Sequence, residues 1–141
     1  MKAVFIVPGE PQGKGRPRFA RAGNQVRTFT PAKTAAYENL VKLEYERQCG
    51  GKRFGTDTML VISIFAYYGI PKSVSKKKRE QMIAGILRPI KKPDMDNVVK
   101  VIADSLNGVA YRDDTQIVTA VVEKYYAEDP RVEITITEVK T

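Results

Sequence analysis

The run Thr58-Met59-Leu60-Val61-Ile62-Ser63-Ile64-Phe65-Ala66-Tyr67-Tyr68 constrains the fold more than any other stretch of this chain. It is dense in β-branched and aromatic residues, so it predicts a strand at the centre of a sheet. The apolar residues Met95, Val98, Val99, Ile102 and Leu106 recur at helical spacing, and Asn107-Gly108 supplies a stop. They predict a helix over Met95–Leu106. Strand and helix together in 141 residues, 43% of them hydrophobic, give an α/β protein with enough apolar mass for one core. The expected architecture is a single domain over residues 1–141, one mixed sheet with helices packed against it.

The remaining elements follow by local grammar. Residues 2–7 read as a first strand. Pro8 to Thr30 is rich in Gly, Pro and Arg without a helical period, and reads as a long basic loop with room for a hairpin at Gly23-Asn24. Thr30-Pro31 predicts a helix start with Thr as N-cap, and Gly50-Gly51 ends that helix. Residues 75–84 predict a short exposed helix. Two strands, about 116–126 and 132–139, finish the chain across the polar turn Ala127-Glu128-Asp129-Pro130.

A net charge of +8 and a pI near 9.6 point to a polyanionic partner. The bases most suited to phosphate are Lys14, Arg16, Arg18 and Arg21 in the loop, Lys76, Lys77, Lys78 and Arg79 on the short helix, and Lys91 and Lys92 before the long one. After Lys100 the balance turns acidic. Met1 to Val7 is too short for an export segment and no stretch reaches the ~20 apolar residues of a membrane span. With Cys49 as the one cysteine, a reducing cytoplasm is the expected compartment.

Within this basic chain the acids are concentrated. Asp94 and Asp96 sit where Pro93 sets a helix entrance, and Asp113-Asp114 precede a strand. One Asp at a helix start needs no chemistry, since it accepts from free backbone N–H groups and meets the positive end of the dipole. A second so close to it repels the first unless a cation intervenes. A polar turn likewise accounts for Asp113-Asp114. If the return loop carried this second pair back to the helix entrance, the two pairs would face each other across a cleft suited to Mg²⁺, which takes carboxylate, water and phosphate oxygens. Lys100, four residues after Asp96, is placed for an i,i+4 ion pair or for the phosphate itself. Asp104, a turn further on, reads as structural.

Other chemistries close. There is no histidine, which excludes a Ser-His-Asp triad and a His-bound metal. Gly9-Glu10-Pro11-Gln12-Gly13-Lys14-Gly15 looks superficially like a phosphate-binding loop, but its spacing is wrong, Gly stands where Ser or Thr is needed, and no helix follows.

Pro93-Asp94-Met95-Asp96-Asn97-Val98-Val99-Lys100, Asp104-Ser105-Leu106-Asn107-Gly108 and Asp113-Asp114-Thr115-Gln116-Ile117-Val118 resemble the core motif of RusA-like crossover junction endodeoxyribonucleases. The match covers about a fifth of the chain and combines three separate motifs. The resemblance implies a RusA-like fold and a homodimer that cuts four-way DNA junctions with Mg²⁺, for which Mn²⁺ is the expected substitute. It implies Asp94, Asp96 and Asp114 as metal ligands, Lys100 as the catalytic lysine, and Asp113 as an accessory residue. The long loop Pro8–Thr30 and the basic segment Lys72–Lys92 depart from the smallest family members, and bear on which branched DNA is preferred. Two rivals stand beside this reading: a basic nucleic-acid-binding module without catalysis, and a metal nuclease acting on flaps, forks or other branched substrates.

Overall fold

The computed structural model describes residues 1–15 and 18–140, without the side chains of Arg18, Ala22 and Phe29. The elements are β1 (Lys2–Pro8), β2 (Arg18–Ala22), β3 (Gln25–Phe29), α1 (Ala32–Cys49), β4 (Leu60–Gly69), α2 (Lys76–Ile83), α3 (Met95–Ser105), β5 (Ile117–Ala127) and β6 (Arg131–Glu138). Four strands form one mixed sheet in the order β1-β6-β4-β5, with β4 and β5 parallel and the other pairs antiparallel. The apolar run is indeed central, since β4 is hydrogen-bonded on both sides. The basic loop does contain a hairpin, with β2 and β3 turning at Gly23 (φ 64°).

The period of two decides which face is covered. Ala3, Phe5 and Val7 of β1, Val132, Ile134 and Ile136 of β6, and Leu60, Ile62, Ile64, Ala66 and Tyr68 of β4 are all buried on one face. Onto it α1 lays Tyr37, Val41 and Tyr45, and α3 lays Val98, Val101 and Ile102. Phe5 and Tyr45 meet edge to face with centroids 5.2 Å apart, tying α1 to the sheet. The opposite face carries the row Val4, Thr135, Ser63, Val121 across the four strands, and Val4 and Val121 are exposed.

Three expectations shift. Pro31 is the cap of α1, in extended conformation and with no side-chain capping bond, so the helix begins one residue later than Thr30-Pro31 predicts. Met95 is exposed and Val101 takes its place in the buried stripe of α3, because the first helical residue precedes the turn that meets the sheet. The last two strands are not neighbours: the 127–131 connection crosses the end of β4, and β6 inserts on its far side. At Gly69 an added Cβ would displace the Glu10 carboxylate that accepts from the Gly69 N–H, while Pro130 would stand in ordinary contact.

Tyr37 is buried, and its hydroxyl has no hydrogen-bond partner among the described residues. Burial pushes its pKa up, with Tyr68 adding to the effect. Tyr37→Phe removes that unsatisfied group, so urea denaturation should show stability unchanged or raised by about 1 kcal/mol. A marked loss would show that the hydroxyl is satisfied after all.

Candidate active site

The site is organised along α3. At its entrance Asp94 takes the N-cap position with extended backbone, yet its carboxylate accepts no capping bond. The ordinary reason for an Asp there is therefore missing, and the exposed carboxylate remains available. The backbone beneath it is pinned by the Tyr68 hydroxyl, which donates to Pro93 O. Burial lifts the Tyr68 phenol to about 12, with Asp94 and Glu10 adding to the shift.

A cleft of about 830 Å³ opens at this end. Lys14, Lys33, Lys91 and Lys92 line it together with Asp94, Glu10, Tyr68 and Asn97. Lys124 reaches the same end across the face of the Tyr68 ring (4.9 Å) and donates to Lys91 O at 2.7 Å. Its pKa is drawn down by burial, with Asp94 opposing. Arg88 stacks on Tyr125 and donates to Lys124 O, which fixes the loop that presents Lys91 and Lys92.

Asp96 is exposed in the first turn of α3. Lys100 turns towards the exit: its ammonium lies 3.5 Å from Asp104 Oδ2. Asp104 also lies close enough to Asp114 to act on its carboxyl, and the Asp114 backbone N–H donates to Asn107 Oδ1 at 2.8 Å. Burial raises the Asp114 carboxyl, Asp113 and then Asp104 raise it further, and Lys100 pulls the other way.

The return loop thus brings Asp114 to the exit of α3, whereas the expected cleft had it at the entrance. Ten residues separate Asp94 from Asp104 along the helix, about 15 Å of rise. Among the described residues no three carboxylates converge closely enough to cage a metal. In kind, however, the donors fit a hard divalent ion: all are carboxylate oxygens, and Mg²⁺ is commonly held by one or two carboxylates with waters and phosphate completing the shell.

Asp113 has a structural occupation. Its Oδ2 accepts from Thr115 N, and Gln116 Oε1 accepts from the Asp113 N–H, a reciprocal capping box before β5. These hydrogen bonds from Thr115 hold its carboxyl below the ordinary value.

The bases divide similarly. Lys91 and Lys92 stand exposed at the cleft, Lys76, Lys77 and Lys78 are exposed on α2, and Arg21 is exposed on the hairpin. Arg79 is paired with Glu128. Lys14 is only 20% exposed and is engaged by Glu38 and Asp104. Arg16 lies outside the described residues, as does the side chain of Arg18.

Sequence reading passed over Glu10, Lys33, Tyr68, Asn97, Asn107 and Lys124. Only Asn97 and Asn107 stood within a recognisable motif; the others arrive by tertiary contact.

The sequence model of the family described as endodeoxyribonuclease RusA matches residues 8–137, nearly the whole chain. The chain belongs to the RusA endodeoxyribonuclease family. The match spans the basic loop, the cleft, β4, β5 and β6 up to Thr137, but only Pro8 of β1. A relative from Bacillus subtilis (strain 168), YqaN, is 40% identical over 141 aligned residues, covering 96% of this chain and 95% of its own. No described helix is long and apolar enough to cross a membrane.

Proposed function

We propose that this protein is a divalent-metal-dependent, structure-selective endodeoxyribonuclease that resolves four-way DNA junctions by paired phosphodiester hydrolysis. The observation that carries the reading is the Asp94 carboxylate, unused as a helix cap and exposed in a lysine-lined cleft, in a chain of an endodeoxyribonuclease family. Lysines collect a phosphate backbone, whereas a carboxylate there opposes binding by itself and serves a cation.

Asp94 and Asp96 at the entrance of α3 and Asp114 at its exit are the proposed Mg²⁺ ligands, too far apart to share one ion and so holding separate ones, with Mn²⁺ as the expected substitute. The metal would supply Lewis acidity to the phosphodiester and an activated water. Lys100, 61% exposed, is long enough to exchange Asp104 for the scissile phosphate. Lys91 and Lys92 hold the flanking backbone, and the exposed lysines of α2 with Arg21 extend the track. Asp113 shapes the turn that delivers Asp114.

A twofold homodimer suits a substrate with two equivalent strands to cut. The exposed part of the outer sheet face, with Val4, Ile6 and Val121, is the proposed interface. Cytoplasm is the proposed compartment, consistent with a DNA substrate and a single, buried cysteine.

The test uses a synthetic four-way junction beside linear duplex of equal length, with and without Mg²⁺. The protein should sediment as a dimer and leave paired, ligatable nicks in the junction. In a mixed dimer of wild-type and Asp96→Asn subunits, one strand per junction should be cut. A monomer that cuts duplex as readily as junctions would reduce the reading to a metal nuclease of another target. Binding should weaken steeply with salt, and alanines at Lys91 and Lys92 should lower the slope of log K against log salt by about 0.9 for each phosphate no longer neutralised. An unchanged slope would remove these lysines from the track.

A further inference from the structure

The segment Gly13-Lys14-Gly15 is built into the fold more tightly than a loop needs. Lys14 N–H donates to Asn97 O at 3.2 Å, and Gly15 N–H donates to Thr34 Oγ1 at 3.0 Å, so one short segment is fastened to α3 and α1 at once. Neither glycine leaves room for a side chain. A Cβ on Gly13 would stand 3.0 Å from Pro93 Cβ and 3.1 Å from Asn97 Cβ; one on Gly15 would stand 2.5 Å from Thr34 Oγ1 and 3.1 Å from Pro31 Cγ. Between these fixed points the Lys14 ammonium bridges Glu38 Oε2 of α1 (3.0 Å) and Asp104 Oδ2 of α3 (3.4 Å). Burial lowers its pKa, but Glu38 and then Asp104 more than reverse this, and the net shift is upward.

The same Asp104 oxygen is the partner of Lys100, at 3.5 Å. Two ammonium groups thus compete for one carboxylate oxygen, and they differ in freedom. Lys14 is 20% exposed and anchored through its backbone; Lys100 is 61% exposed on a helix surface. Of the two, Lys100 is the one able to leave.

We propose that Lys14 is a positioning residue: by occupying Asp104 from the buried side, it leaves Lys100 free to swing to the DNA phosphate. This rests on the proposed nuclease function, and it removes Lys14 from the residues that contact DNA directly. Without Lys14, Asp104 would have Lys100 as its remaining ammonium and would retain it.

The experiment compares wild type with Lys14→Met on a four-way junction, measuring turnover in Mg²⁺ and, in chelator, affinity and its salt slope. Lys14→Met should lower kcat by about 10- to 100-fold, the scale of a misplaced catalytic group. Affinity should stay within about twofold and the salt slope should be unchanged. The double variant Lys14→Met/Asp104→Asn should recover turnover relative to Lys14→Met alone, because Lys100 is released when the carboxylate that holds it is removed. If Lys14→Met melts below the assay temperature, Lys14→Arg serves instead and should retain turnover by keeping the charge.

A slope reduced by about 0.9 with kcat preserved would make Lys14 a phosphate ligand and overturn the proposal. So would a double variant no faster than the single one, or a folded Lys14→Arg without turnover. The salt-slope arm needs no cutting, so it reads Lys14 even if wild type proves inactive on junctions. Such inactivity would instead count against the proposed nuclease function.

Discussion

Purified Asp96→Asn protein is expected to bind a four-way junction at least as tightly as wild type while leaving every strand uncut. Asp96 is exposed in the first turn of α3 and makes no described ion pair, so the amide should leave the fold intact. Removing a negative charge from a basic surface favours binding, and removing an oxygen ligand from a metal removes the chemistry. Asp94→Asn should behave alike, for its carboxylate caps nothing. A fall in cutting of several orders of magnitude is the expected scale for an essential group. Asp114→Asn should add a gain in stability. Burial, Asp113 and Asp104 raise its folded pKa above the unfolded value, so the fold favours the protonated form. The ionised form then costs stability above the folded pKa, and that cost vanishes as pH falls below the unfolded one. At neutral pH, Asp114→Asn should therefore melt higher, and the gain should shrink in acid. Full nuclease activity in any of the three variants would remove that residue from the site.

Excess chelator is expected to end cutting outright while leaving the protein folded and able to bind DNA. The core is closed by the sheet with α1 and α3, and nothing in it depends on an ion. Mg²⁺ and Mn²⁺ should each restore activity to the stripped protein. Ca²⁺ should permit binding but little cleavage, because it tolerates longer, looser coordination. Cutting that persists in chelator would end the metal mechanism and leave the carboxylates to shape loops alone.

The sequence displayed whatever was encoded locally. The apolar run of β4, the Ser75 cap of α2 whose hydroxyl accepts from Lys78 N, and the Gly50 stop of α1 are all signals read within a few residues. Strand order was not legible, because which strand pairs with β4 depends on contacts between distant segments. That gap misplaced Asp114. β5 runs parallel to β4, so its start lies beside Leu60, while Pro93 and the α3 entrance lie beside Tyr68 at the other end of β4. Two acidic pairs close in sequence are thereby sent to opposite ends of a helix. The engagement of Lys14 was hidden for the same reason: Glu38 and Asp104 reach it only through packing of α1 against α3.

The crossing of the 127–131 connection over β4 has a consequence for synthesis. It makes β6 an interior strand, sandwiched between β1 and β4, although the ribosome produces it after every other element described. Until β6 emerges, β1 has no neighbour in the sheet and β4 lacks one of its two ladders. Non-local pairings of this kind form late and slowly. A nascent or truncated chain that ends before Arg131 carries all of the acidic residues of α3 and its exit loop without the sheet that holds them. Such a chain is expected to lack the assembled site, however complete its acidic residues.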